Sequence, residues 1–422
     1  MKNEVIIGDC AEVLKQLPDE SIDCIVTDPP YGYSFMGLQW DKALPSEEAL
    51  RECCRVLKSG AFGFFMCAPR QDVLSRMIIR LEDAGFNIGF SSLFHAYASG
   101  FPKAGNASKL ADRRLGAERE LIQRIRPDGK APGIKASDTF SSGCKDVGHT
   151  YSNIPLTQEA KALDGAYLGF QPKPALEVII TVMKQLSEKT YIDQALVNGK
   201  GVTWLGDCRI PYEGDSDIWK DHEATGLSKV KFFGNEDTVL KKSAVGGGRF
   251  PANLLVSDNI LDNGINYKTG SINGVMNSKN TSVCYGKYNP IHRTHKASEG
   301  SFSRYFSLDA WWSKKISELP EEQQKTFPFL ITPKSSKSEK NKYIENKHPT
   351  VKPLKLMSYL ITMGSREGDV ILDPFAGSGT TLEACKLLNR VFIGIDKDPE
   401  NEKYMRARGQ LDSTTLESFQ EA

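Results

Sequence analysis

The chain has 422 residues, 40% of them hydrophobic and 25% charged, with a formal net charge of +1. That balance suits a globular protein of two or so domains with a large core, and it excludes a disordered chain or one that holds polyanions by overall basicity. Nine cysteines with no C-x-x-C pair argue against a disulfide framework or a zinc cluster, and the absence of a long apolar run argues against a membrane partner, so a cytoplasmic location is expected.

In chain order, the hydrophobic pattern predicts a strand over 4–8, a helix over 11–16, a strand over 22–28 and a helix over 46–57. A strand over 61–67, a helix over 71–84 and a strand over 88–94 follow. From about 96 to 347 the order degrades into Gly, Ser, Asn and Lys runs, except for a strand over 176–183 and a helix over 191–197. Regular alternation returns at His348: a helix over 353–363, a strand over 370–373, a glycine turn, a helix over 381–389 and a strand over 391–395. The two ends read as parts of one doubly wound α/β sheet, with the middle inserted between them. Basic runs at 101–135, including Arg113 and Arg114, and at 325–355, including Lys352 and Lys355, supply local positive patches or a solvated surface.

Two motifs carry chemistry. The strand ending at Thr27 runs into Asp28-Pro29-Pro30-Tyr31. Two prolines have no amide hydrogens and fix their own φ, so the carbonyls around them are left to face something else. A carboxylate, a rigid carbonyl and a flat ring suit a planar group bearing an NH2; the same residues also suit a plain strand-ending turn. The second motif is Asp373-Pro374-Phe375-Ala376-Gly377-Ser378-Gly379-Thr380, where glycines let backbone approach a ligand closely on the way into a helix. It is not a phosphate-gripping loop, because Thr380 stands where a lysine is required. Asp396, about twenty residues beyond the glycines, falls where a ribose-binding acid is placed in dinucleotide folds. Loop, helix and acid together point to a nucleoside-containing cofactor with little or no phosphate, against the alternative of a structural turn.

With both motifs in view, the chain resembles the amino-group DNA methyltransferases that use S-adenosylmethionine, of the permuted class in which the catalytic motif precedes the cofactor motif. Asp28-Pro29-Pro30-Tyr31 matches the catalytic motif of that family, and the glycine loop matches its cofactor motif. His348-Pro349-Thr350-Val351-Lys352-Pro353 matches the segment leading into the helix before that loop, and Gly8-Asp9-Cys10 matches the acid placed on the cofactor's adenine. The resemblance implies a mostly parallel, seven-stranded, Rossmann-like sheet. Residues 1–95 and 348–422 would form the catalytic and cofactor-binding halves, with 96–347 an inserted, irregular DNA-recognition region.

It further implies transfer of a methyl group to the exocyclic amine of a base flipped from double-stranded DNA, adenine N6 ahead of cytosine N4, as in restriction–modification systems. Asp28, Pro29, Pro30 and Tyr31 would be catalytic. Asp9, Asp373, Phe375, Ala376, Gly377, Ser378, Gly379, Thr380 and Asp396 would hold the cofactor, and no metal is required. Asp396 stands where the family more often has Glu. An RNA or protein-glutamine methyltransferase and a non-enzymatic DNA-binding protein are the rival readings, and a homodimer is one compatible assembly. Phe35, Trp40, Trp311 and Trp312 suit either core packing or stacking against DNA.

Overall fold

The computed structural model describes residues 2–32, 41–97, 104–123, 149–170, 175–211, 248–257, 261–262, 264–268, 272–276, 291–295, 299–319, 337–346, 348 and 351–409. Contacts divide the chain into two compact units, one of 1–99 with 176–422 and the other of 100–175.

The larger unit is built on a nine-stranded sheet. Its strands are β1 (Glu4–Ile7), β2 (Cys24–Thr27), β3 (Phe62–Cys67), β4 (Phe86–Asn87), β5 (Leu93–Ala96), β6 (Leu176–Lys184), β7 (Leu254–Val256), β8 (Val370–Asp373) and β9 (Val391–Asp396). They lie in the order β1-β9-β8-β2-β3-β6-β5-β7, with β4 also paired to β6. Every pairing is parallel except the three made by β6, so this strand alone runs against the rest. The fold is therefore the mostly parallel, doubly wound α/β sheet that the alternating pattern predicts.

Strand composition explains the layering. In β3, Phe62, Phe64 and Met66 face one apolar cluster, and Phe65 and Cys67 face the other. Both sides are buried, as the near-continuous hydrophobic runs of parallel strands require. One layer carries the helices Leu308–Ser317, Leu354–Gly364 and Thr380–Leu387; the opposite layer carries Cys10–Leu14, Glu47–Val56 and Gln71–Asp83.

The middle of the chain does not stand apart from this sheet as expected. Only 100–175 forms its own unit, whereas β6, the strand expected over 176–183, lies within the sheet, and β7 together with the separate short strand β4 raises the count from seven to nine. The nine residues of β6 bury Val178, Ile179, Ile180, Val182 and Met183, and a segment apolar on both faces is stable only inside a covered sheet. The strand predicted over 88–94 is also broken. Asn87 accepts the Gly89 N–H at 2.9 Å and Phe90 N–H donates to the Ile88 carbonyl at 2.8 Å, so a local turn separates β4 from β5.

The smaller unit contains the helix Ala107–Arg114, capped by Asn106, the helix Gln158–Ala162, capped by Thr157, and the antiparallel pair Leu121–Gln123 and His149–Tyr151. Asp112 is its polar centre. It pairs with Arg119 and accepts from the N–H groups of Leu156 and Thr157 and from the Thr157 hydroxyl. Arg119 is therefore buried and committed, not part of a basic surface; Arg113 and Arg114 are exposed.

No helix among the described residues is long and apolar enough to cross a membrane. The seven described cysteines are free thiols, all buried.

Candidate active site at the carboxyl edge of the sheet

From β2 the chain winds to β3 on one side, and from β8 it winds to β9 on the other. The direction of winding therefore reverses between β8 and β2, which pair directly in the register Ile371–Cys24 and Leu372–Ile25. In open α/β sheets ligands lie at the carboxyl ends of the strands beside such a switch point. Asp28 follows β2, Asp373 ends β8, Asp396 ends β9, and Asp9 lies two residues beyond β1. Residues from the two ends of the sequence are thus gathered on one edge.

The glycine loop is fixed by its neighbours. Ala376 N–H donates to the Ile395 carbonyl at 2.9 Å, Gly379 N–H to the Ala376 carbonyl at 2.8 Å, and Gly377 N–H to Asp396 Oδ2 at 2.8 Å. Gly377 and Gly379 both have positive φ, +51° and +80°. A Cβ at Gly379 would lie 2.9 Å from the Cα of Met405 in the helix Glu402–Gly409. Backbone strain and a backbone clash coincide there. Gly379→Ala is expected to destabilise the fold by about 1–3 kcal/mol, read as a lower denaturation midpoint.

Ser378 and Thr380 are buried, and the Thr380 hydroxyl accepts from Arg408 at 2.5 Å, so neither faces solvent freely. Phe375 packs half-buried against the apolar cluster beneath the edge. Asp396 Oδ1 accepts from Asp398 N–H and Asn401 Nδ2, each at 2.9 Å, so this carboxylate organises the loop from both oxygens. Asp9 caps the helix Cys10–Leu14 through the Ala11 N–H at 3.0 Å. Lys397 lies 3.0 Å from Asp9 and, with that cap, holds its carboxyl below the usual range.

Asp373 is turned inward. Thr27 Oγ1 donates to one of its oxygens at 2.6 Å and Thr381 Oγ1 to the other at 2.5 Å. Burial pushes its carboxyl up to about 7. In this arrangement it ties β8 to β2 and to the helix Thr380–Leu387, rather than presenting a free acceptor to a ligand.

At the Asp28 corner, Tyr31 Oη donates to Asp28 Oδ1, and the Tyr31 and Gly32 N–H groups donate to Asp41 Oδ1 at 2.7 and 3.1 Å. Lys352 Nζ lies 3.1 Å from Asp28 Oδ2 and 2.8 Å from Glu177 Oε1. Burial raises the Asp28 carboxyl above its ordinary value, with Glu177 adding to the rise and Lys352 opposing it. At Glu177 burial also works against charge, but Lys352 and His95 outweigh it and hold the carboxyl low.

Several of these residues were not identified as part of a site from sequence. Lys352 counts there as a member of a basic run, yet it faces inward, and Lys355 is buried against Asp309. Neither is a surface charge for phosphate. Glu177, His95 and Asp41 carry no motif; only the pairing of β6 with β3 and β5 brings Glu177 and His95 to this edge. His348 lies in the same quoted segment as Lys352, and its Nε2 would be 3.3 Å from a Cβ at Gly377. Trp311 and Trp312 are 2% exposed and belong to the core, which removes them as groups that stack on DNA. Phe35, Trp40, Pro349 and Thr350 lie outside the described residues.

A doubly wound sheet with an acidic proline corner and a glycine loop at one switch point defines a nucleoside-cofactor type of α/β protein. A family model for N6/N4 methyltransferases, described as DNA methylase, matches residues 22–406, and the chain belongs to that family. Type II methyltransferase M2.DpnII of Streptococcus pneumoniae is 49% identical over 69 residues, 16% of this chain and 26% of that protein. M2.MboI of Moraxella bovis is 37% identical over 112 residues, 23% of this chain and 40% of its own length. The chain thus aligns with less than half the length of these curated relatives. Among solved structures, the cytosine-N4-specific PvuII DNA methyltransferase has a TM-score of 0.40 at 14% identity, over 98% of this chain and 88% of that one. The complex of M1.HpyAVI with S-adenosylmethionine has a TM-score of 0.36 at 15% identity, over 96% and 98%.

Proposed function

We propose that this protein is an S-adenosylmethionine-dependent DNA methyltransferase that acts on an exocyclic amino group, adenine N6 ahead of cytosine N4. The observation that carries the reading is the β8–β2 pairing, which sets the Asp28 corner beside the glycine loop at a single switch point in a member of a DNA methylase family. The loop fits such a cofactor. Gly377 and Gly379 take the positive φ of a tight turn packed against His348 and Met405, residues 374–381 carry no Lys or Arg to bind phosphate, and Asp396 ends β9 with Asp9 two residues past its neighbour β1. When bound, S-adenosylmethionine supplies a methyl group activated by its sulfonium.

The protein's own part is orientation. The lone pair of an exocyclic amine is delocalised into the ring, and a base inside a duplex must first be extruded, at a cost of a few kcal/mol. Tyr31 stacks on the extruded base after giving up its hydrogen bond to Asp28. Asp28 and the Pro29 carbonyl then accept the two amino hydrogens and aim the nitrogen lone pair at the methyl group, so positioning and electrostatics set the rate. Asp396 and Asp9 hold ribose and adenine, while Phe375 lines the cofactor site. Exposed Arg113 and Arg114 in the smaller unit contact phosphates of double-stranded DNA. The leading Asp in the corner favours adenine, and the buried free thiols suit the cytoplasm.

The test is to incubate the purified protein with methyl-labelled S-adenosylmethionine and, separately, DNA, RNA and protein. Label is expected in DNA. Label confined to RNA or protein, or none at all, contradicts the reading.

A further inference from the structure

We propose that Lys352 is the positioning residue of the catalytic corner, an ammonium clamped between Asp28 and Glu177 that fixes the Asp28 carboxylate for the incoming amine. The inference rests on the function proposed above and deepens it.

The clamp is built from four separate parts of the chain. Lys352 stands just ahead of the helix Leu354–Gly364, Asp28 follows β2, Glu177 opens β6, and His95 lies in β5 in register with Glu177. The Nζ of Lys352 is 3.1 Å from Asp28, 2.8 Å from Glu177 and 3.4 Å from Tyr31 Oη, which puts its ammonium between both carboxylates and the phenol. His95 lies beside Glu177, with Nδ1 3.8 Å from Oε2, beyond hydrogen-bonding distance. The opposite ring nitrogen of His95 is 3.0 Å from Ser257 Oγ, just past β7. The reversed strand β6 thus acquires a purpose: because it runs against its neighbours, its first residues lie at the carboxyl edge of the others.

A lone buried carboxylate pays for its charge in lost hydration and tends to take up a proton. A protonated Asp28 accepts hydrogen bonds poorly and would donate where the amine also donates. A lysine at 3.1 Å opposes that uptake, and Glu177, accepting from the same ammonium at 2.8 Å, fixes where the lysine sits. The other titratable groups at the corner are Asp41 beneath the Tyr31 and Gly32 N–H groups, Cys67 at the end of β3 and Asp373 at the end of β8, with Tyr97 near Glu177 and Lys352. The thiol of Cys67 is pushed up to about 12 by burial and stays neutral. Lys352 is therefore the cation in direct contact with Asp28 among the described residues.

Two variants act in opposite directions. With the side-chain carboxyls labelled with 13C and Asp28 assigned through Asp28→Asn, the Asp28 titration is followed in the DNA-free protein. Lys352→Met is expected to raise its midpoint by about one pH unit or more. Glu177→Gln is expected to lower the midpoint, and Lys352→Arg to leave it near that of the native protein. The acid limb of single-turnover methylation should move in the same directions. An unshifted midpoint in Lys352→Met, or shifts of the same sign in Lys352→Met and Glu177→Gln, overturns the clamp. The titration needs no substrate. An unshifted Asp28 in a protein that methylates DNA sinks the clamp alone, whereas opposite shifts in a protein that does not methylate DNA sink the proposed function alone.

Discussion

Asp28→Ala is expected to lower methyl transfer by about a hundredfold or more, the scale of losing one preorganised polar contact to a reacting group, while S-adenosylmethionine affinity stays within roughly twofold. Asp28 leads the corner after β2, and the glycine loop is held by other partners: Gly377 by Asp396, Ala376 by Ile395 and Gly379 by Ala376. Removing the carboxylate leaves those contacts intact, so the loss should fall on the chemical step. Asp28→Asn keeps one oxygen acceptor and should lose less than the alanine variant. Single-turnover kinetics with saturating cofactor separate the two effects. Near-normal transfer by Asp28→Ala would remove Asp28 from the mechanism.

Asp396→Ala should show the reverse pattern, with cofactor dissociation constants raised about tenfold to a hundredfold and the saturated rate much less affected. Its carboxylate accepts from Gly377 N–H, Asp398 N–H and Asn401 Nδ2. Hydrogen bonds to charged groups contribute about 1.5–3 kcal/mol each in favourable settings, so losing the Gly377 contact and a ribose contact together reaches that range. The same side chain shapes the glycine turn and, in the proposed site, would also meet the sugar. Calorimetry measures the change, and unchanged affinity contradicts the ribose assignment.

Much of the fold was legible because parallel strands announce themselves. The runs ending at Thr27, Cys67, Asp373 and Asp396 are short, apolar on both faces and separated by amphipathic helices, and each became a sheet strand. The pairing of the two chain ends followed from the motifs, since a corner and a glycine loop that act together must share one edge. What was not legible depends on long-range pairing. Nothing local in Leu176–Lys184 says that it runs antiparallel beside β3, and so nothing local says that Glu177 reaches Asp28's edge. Lys352 illustrates the same limit. A lysine within a basic run reads as a solvated charge, and only its two carboxylate partners, supplied by β2 and β6, reverse that reading. Trp311 and Trp312 were ambiguous because an aromatic pair suits a core and a stacking surface equally well; burial beneath the sheet decides it.

The central claim, that two distant motifs form one site for methylating an exocyclic amine, is tested most directly by nucleoside mass spectrometry of DNA treated with the protein and S-adenosylmethionine. N6-methyladenine is expected from the native protein and should be absent with Asp28→Ala. A methyl group on a ring carbon, or no modified nucleoside from the native protein, would contradict the account.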